Sequence, residues 1–252
     1  MSSGGPSFHP DRSNAAFATT RWSVVLSAGD RSSPDAASAL ETLCQVYWYP
    51  LYAFARRGGS SPDDSADLTQ EFFSRLLEQE FLLAADREKG RFRSFLLTVF
   101  KRFLSKERDR AQTQKRGGGR RFLSINVQVG EQRYGFEPSD GWTPEALFER
   151  QWALTLLGQV MDKLQSDYEA KGRGALFNLC QPFLTGSGDG PAYPEIALQL
   201  EMNETAVRVA VHRLRERYRD MLKHEVAQTI TETDSVEDEL NYLRLAIRGK
   251  NC

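Results

Sequence analysis

Apolar residues recur at helical spacing along almost the whole chain, and this pattern limits the fold more than any other feature. In the first such stretch, Leu40, Leu43, Val46 and Tyr47 lie on one face of a helix. The alternating pattern typical of strands is scarce, and its best example, residues 124–129, is short and lies in a glycine-rich zone. We therefore expect an all-α protein.

Charge is distributed unevenly along the 252 residues, although the formal net charge is only −1. Residues 90–121 contain eleven lysines and arginines but only two acidic side chains, so the rest of the chain is strongly acidic. Fields between charges are screened within about 10 Å at moderate salt, so this local excess matters more than the net charge. A basic strip on an otherwise acidic protein indicates a defined contact with a polyanion.

Several classes of protein are disfavoured by what the chain lacks. The three cysteines, Cys44, Cys180 and Cys252, form neither a disulfide framework nor a Cys-x-x-Cys metal pair, so we expect a cytoplasmic protein. No run approaches the roughly 20 apolar residues that span a bilayer, so we expect no membrane insertion. We find no nucleophile with its base, no phosphate-binding loop and no metal-ligand spacing, and we expect neither an enzyme nor a cofactor.

Helix start signals and a break in periodicity divide the chain. Ser61 is a predicted N-cap before Pro62, and Thr143 is another before Pro144, whereas Pro50 is expected to end or kink its helix. Between residues 117 and 143, glycine, proline and serine accumulate and helical spacing disappears. We predict a flexible tail (1–20), a first helical domain (21–116), a flexible linker (117–143), a helix-turn-helix domain (144–225) and a C-terminal extension (226–252).

The stretch from residue 193 to residue 222 has the pattern of a helix-turn-helix. A short helix at 194–200 is followed by a turn, and Asn203 is a predicted cap for a second helix. The turn often holds glycine where this chain has Glu201. A recognition helix enters the major groove with its N-terminal part, so Thr205, Arg208 and His212 suit base edges and the later arginines suit phosphates. The alternative is a helical hairpin whose arginines are merely solvated.

Residues 92–111 predict a basic, aromatic helix. Phe92, Phe95, Leu96, Val99 and Phe103 form one stripe, which we expect in the core. The opposite side is cationic and suits nucleic-acid phosphates, although a merely solvated face is an alternative. Binding to a membrane surface is disfavoured, because the flanking helices have apolar stripes of their own that need burial.

The order of these segments resembles bacterial RNA polymerase sigma factors, and most closely the small two-domain extracytoplasmic-function (ECF) group. It is carried by DDSADLTQEFFSRLLE, then RFRSFLLTVFKRFLSKERDRA, a linker, and YPEIALQLEMNETAVRVAVHRLRERYRDML. TTRWSVV and VEDEL also look like features of one subgroup. The resemblance covers roughly residues 35–225. It implies a factor without catalytic activity that binds core RNA polymerase and directs it to promoter DNA.

The resemblance also implies roles for individual residues. Polymerase docking, on the β′ clamp helices with the β subunit as a further contact, falls to Asp64, Asp67, Leu68, Gln70, Glu71 and Phe72. Melting and reading of the minus-ten element fall to Arg93, Lys101, Arg102, Lys106, Arg108 and Arg110. Reading of the minus-thirty-five element falls to Thr205, Arg208, His212, Arg213 and Arg215. The linker would run toward the active-centre channel. Many members of the group have asparagine where Arg102 stands.

Two questions stay open at this point. A stand-alone helix-turn-helix regulator, with an N-terminal domain for a protein or small molecule, is the alternative to a sigma factor. The acidic helix face from Asp64 to Glu71, followed by the cationic helix, favours the sigma factor, because a repressor needs neither. Regulation is also open: an anti-sigma factor is one candidate partner. The acidic extension, with a charge of −3 over residues 224–252, would either mask a basic surface or form a solvated tail.

Overall fold

The computed structural model describes residues 22–30, 34–78, 82, 85–113, 126–138, 141–185 and 190–249. Within these ranges the regular structure is entirely helical, which confirms the predicted all-α class. The predicted flexible tail at 1–20 lies outside the described residues.

The described ranges contain the following helices, with a 3₁₀ turn before the fourth. They are α1 (Trp22–Gly29), α2 (Ala36–Arg57), α3 (Pro62–Glu78), the 3₁₀ turn (Arg87–Lys89), α4 (Phe92–Thr113), α5 (Val127–Tyr134), α6 (Pro144–Ala170), α7 (Gly174–Cys180), α8 (Pro182–Thr185), α9 (Tyr193–Gln199), α10 (Glu204–Ala227) and α11 (Val236–Arg248).

Side-chain caps fix the starts of several helices where the sequence predicts them. The Ser61 hydroxyl accepts a hydrogen bond from the backbone N–H of Asp64 at 3.1 Å. Thr143 caps α6 in the same way at 3.1 Å, and Asn203 caps α10 at 2.7 Å. Each cap satisfies a backbone donor that has no partner within its helix.

Two short segments differ from what their sequence pattern favours. Helix α2 continues through Pro50, so this proline does not end it. Pro50 removes one helical hydrogen bond, but the buried Tyr47 and Leu51 on either side hold this part of α2 in the core. The described end of the weak strand pattern, residues 126–129, instead begins α5, with Asn126 as its N-cap. A short apolar run fits either state until a partner element selects one.

The first core lies between α1, α2, α3 and α4 and the N-terminal half of α6. The Phe92 ring packs edge-on against Trp22 and Tyr47, with centroids 6.0 and 5.8 Å apart. Phe72 of α3 meets Phe100 of α4 at 4.9 Å. The end of α10 and the inner face of α11 also contribute to this core.

A second core is formed by the C-terminal half of α6 with α7, α9 and α10. Leu164, Phe177, Ile196 and Val207 are buried in it. Helix α6 therefore contributes to both cores, since Trp152 lies in the first. The division into two domains with a boundary at residues 117–143 stays a prediction.

The segment 126–138 differs from the expected flexible linker, because it contains α5 and packs against α2. Glu131 accepts hydrogen bonds from Tyr52 at 2.6 Å and from Arg56 at 2.7 Å. A side chain on Gly130 would bring its Cβ within 3.0 Å of the Tyr52 ring, so glycine permits this close approach. The remaining linker residues, 117–125 and 139–140, lie outside the described ranges.

Candidate nucleic-acid and partner-binding surfaces

Helices α9 and α10 lie in the segment predicted as a helix-turn-helix, where they pack against each other and are joined by a short turn. Glu201 in the turn has φ +52°, a left-handed conformation that glycine usually supplies, at the position where the sequence departs from the usual pattern. The N–H of Met202 donates to the Ala197 carbonyl at 2.9 Å and closes the turn. Val207 and Val211 of α10 are buried in the second core. The core face of α10 is therefore fixed, which leaves its other face outside.

The predicted reading residues lie together on that outer face. Thr205, Arg208, His212, Arg213 and Arg215 are all exposed on α10. Most of them are cationic side chains within three turns of the helix N-terminus, where a recognition helix meets base edges and phosphates. The surface has the chemistry and the position for contact with a nucleic acid.

Two aromatic residues that the sequence did not single out lie beside these arginines. The rings of Phe183 and Tyr193 stack with centroids 5.1 Å apart. The Arg208 guanidinium lies 4.9 Å from the Tyr193 ring centroid and pairs with Glu204. Arg215 donates from Nε to the Phe183 carbonyl at 3.1 Å. The aromatic pair thus contacts two of the five predicted reading residues and restricts their positions.

Helix α4 presents a second cationic face. Lys101, Arg102, Lys106, Arg108 and Arg110 are exposed, as the sequence predicts. Lys101 Nζ lies 2.7 Å from Glu145 at the start of α6, and this hydrogen bond lowers the pKa of Glu145. Most of the face is open to a polyanion from solvent.

Arg93 is the exception among the predicted cations of α4, and its placement on a DNA-facing surface is wrong. Its side chain is only 2% exposed. The Nε atom donates to Glu149 of α6 at 2.8 Å, and Nη2 lies 2.7 Å from Glu239 of α11. Burial acts to lower the pKa of Arg93, but the attraction of the two glutamates outweighs it and raises the pKa. Arg93 follows the core residue Phe92 and shares its inward side.

The apolar stripe of α4 is rotated slightly from the predicted one. Phe92, Leu96, Phe100 and Phe103 are buried, and Phe100 is completely inaccessible. Phe95 and Val99, which we expected in the stripe, are half-buried at its edge. The rotation agrees with Arg93 turning inward.

The acidic first half of α3 forms a third surface. Asp64 and Asp67 are exposed, and Glu71 is half-exposed and paired with Arg75 at 2.8 Å. Leu68 and Gln70 are half-buried beside them.

Phe72 does not belong to that surface, which corrects its predicted role. It is 2% exposed and its ring meets those of Phe73, Phe100 and Phe103. Phe72 shares the stripe of Leu76, the face that packs on α4, so it is a core residue.

Reactive groups in the described part of the chain are few. The thiols of Cys44 and Cys180 are buried and free, and burial raises the pKa of Cys44 to about 12. A thiol with so high a pKa is a poor nucleophile at neutral pH. Among the described residues, no group of three or more histidines, cysteines and carboxylates is placed to hold a metal ion. None of the described helices is both long and apolar enough to span a bilayer.

Compared with protein-family models, curated proteins and solved structures, the chain matches none of them significantly. The surfaces of the chain itself are therefore the indication of its function.

Proposed function

We propose that this chain is a sigma-type initiation factor, which binds core RNA polymerase and directs it to promoter DNA. One observation carries the proposal. A helix-turn-helix with an exposed basic face on α10 occurs in the same chain as a separate exposed cationic face on α4. A simple repressor needs only the first of these faces.

The signs of the surfaces support a division of labour. The cations of α4 and α10 suit promoter phosphates, because neutralising phosphates releases condensed counterions and drives binding. The acidic start of α3, with Asp64 and Asp67, repels DNA and suits a basic protein surface such as a polymerase subunit. Opposite charges would thus direct the two partners to different helices.

Strand separation is energetically accessible to such a surface. Unstacking costs about 1.4 kcal/mol per base-pair step, and stacking one freed base on an aromatic or arginine side chain returns about 1–3 kcal/mol. The exposed guanidinium groups of Arg102, Arg108 and Arg110 are the groups on α4 with this capacity. This step requires neither a cofactor nor a metal.

A stand-alone helix-turn-helix regulator is the second candidate, and one observation favours it. Helix α6 joins the first core to the second, so the two helical units are held together rather than spread apart. A regulator would use such an arrangement to transmit a signal from the N-terminal bundle to α10.

Charge-changing variants separate these roles. Asp67→Lys should weaken binding to core polymerase at least tenfold, whereas Asp162→Lys, an exposed reversal on α6, should leave it unchanged. Arg208→Ala should weaken use of promoters with an upstream element, with polymerase binding retained and Arg244→Ala on α11 as the control. If Asp67→Lys binds polymerase normally, the docking surface is on another face. If Arg208→Ala loses polymerase binding, the division of labour is wrong.

A further inference from the structure

The C-terminal extension is not a solvated tail, because α11 packs onto the first core. Leu243 is buried there, and Leu240, Tyr242 and Ile247 are half-buried against it. Ser235 caps the helix through the N–H of Asp238 at 3.3 Å. The extension therefore has a defined position against α6 and α10, from which Glu239 reaches the start of α4.

A buried cluster of charges connects α11 to the beginning of α4. Glu239 of α11 is completely buried, and its two oxygens lie 2.8 Å from Arg91 Nη2 and 2.7 Å from Arg93 Nη2. Glu149 of α6 is 2.8 Å from Arg93 Nε. Two guanidinium groups thus face two carboxylates at ion-pair distance. The Tyr242 ring lies 5.3 Å from both guanidinium groups and covers them further.

A carboxylate and a phosphate present similar negatively charged oxygens to arginine, and both form short ion pairs with it. Arg91 and Arg93 stand at the N-terminal end of α4, whose later cations are exposed. Without Glu239, Arg91 and Arg93 would extend the cationic surface of α4 by about two turns toward its N-terminus, beyond Lys101. We propose that α11 is an intramolecular competitor, whose Glu239 carboxylate occupies a phosphate-binding site formed by Arg91 and Arg93.

The construction of α11 suits a reversible cover. It has only 13 residues, and isolated helices of that length are marginal in water, so a detached α11 would unfold and gain chain entropy. Its inner face is anchored through a buried carboxylate, while its outer ion pair, Lys223 with Glu237 at 3.0 Å, lies at the surface. When a phosphate of a polyanion binds Arg91, it replaces the Glu239 carboxylate as the partner of this arginine. The proposed function enters only in the assumption that the ligand is nucleic acid.

The test compares Glu239→Gln with Glu237→Gln, a matched change at an exposed position of the same helix. Hydrogen–deuterium exchange of residues 236–248 reports detachment of α11. Fluorescence anisotropy with a fluorescein-labelled 12-nucleotide single-stranded DNA reports the uncovered site. We expect faster exchange of α11 in Glu239→Gln but not in Glu237→Gln. The affinity of Glu239→Gln for the DNA at about 0.1 M salt should rise about five- to twenty-fold, the effect of one or two further phosphate contacts. The slope of log K against log salt should steepen by about 0.7 for each contact.

A second variant controls for misfolding caused by the unbalanced charge. Leu243→Ala weakens the packing of α11 without altering any charge, so it should shift exchange and DNA affinity in the same direction. Adding Arg91→Gln to Glu239→Gln removes one of the two arginines. The double variant should therefore lose at least the part of the increase in DNA affinity that one phosphate contact provides. If hydrogen–deuterium exchange of α11 is unchanged in both Glu239→Gln and Leu243→Ala, α11 is not a detachable cover. If α11 exchanges faster but the DNA affinity is unchanged, Glu239 does not compete with phosphates for Arg91 and Arg93. Neither the exchange nor the anisotropy measurement needs polymerase. They therefore test the role of α11 even if the chain fails to support transcription.

Discussion

Replacing Phe72 by alanine should remove a large share of the unfolding free energy, because its ring is buried at the centre of the first core. The ring centroid lies 4.9 Å from that of Phe100, 5.6 Å from Phe103 and 5.8 Å from Phe73. A buried Phe→Ala change costs about 3–5 kcal/mol, from lost transfer free energy and from the cavity left behind. The tight ring contacts on several sides place Phe72 in the upper part of that range.

Thermal and urea unfolding measure this cost directly. In a chain of this size, each kcal/mol shifts Tm by about 2–4 °C, so Phe72→Ala should lower Tm by about 6–20 °C. Phe136→Ala is the matched control, since the Phe136 side chain is 89% exposed. Its effect should lie within about 0.5 kcal/mol of zero.

One result would refute the reasoning on Phe72. A loss below about 1 kcal/mol, together with lost polymerase binding, would mean that the ring is a docking side chain and not a core residue. Equal losses for Phe72→Ala and Phe136→Ala would contradict the burial that separates them.

Three further predictions concern single side chains. Glu201→Gly should raise the unfolding free energy by about 0.5–1 kcal/mol, because glycine adopts the φ of +52° without strain; urea unfolding checks this, and a loss would contradict the turn. Arg56 lowers the pKa of Glu131 through their hydrogen bond, so the stability that Glu131→Gln removes should be fully present above the usual pKa of 4.5 and be lost as the pH falls from there through the lowered pKa. A stability difference independent of pH would contradict that pairing. Tyr193→Leu should weaken DNA binding about two- to five-fold, whereas Tyr193→Phe should not, because only the ring holds Arg208; equal losses would exclude this role.

Local signals in the sequence predict most of the helices. Ser61, Thr143 and Asn203 mark helix starts because a cap is satisfied by backbone groups two or three residues away. Apolar spacing likewise identifies the outer faces of α4 and α10. Five of the six cations predicted on α4, and all five residues predicted on α10, are exposed. These features depend only on neighbours within the same helix.

The errors occur where contacts with residues far away in the sequence determine the local structure. Arg93 is buried because Glu149 and Glu239 on two other helices neutralise it, and nothing near Arg93 in sequence announces them. Helix α5 forms in a glycine-rich segment because Tyr52 and Arg56 hold Glu131. The role given to Phe72 came from resemblance, although Leu76 stands four residues later, a spacing that puts the two apolar side chains on one face of a helix. Tertiary partners override local propensity at such positions.

Run-off transcription is the measurement that tests the sigma-type proposal most directly. Purified core RNA polymerase is combined with the full chain and a library of fragments from the genome that encodes it, and the 5′ ends of the transcripts are mapped. We expect discrete start sites that depend on the chain, with fewer of them when Arg208→Ala replaces it. Identical transcripts with and without the chain, together with no co-purification of the chain with core polymerase, would contradict the proposal.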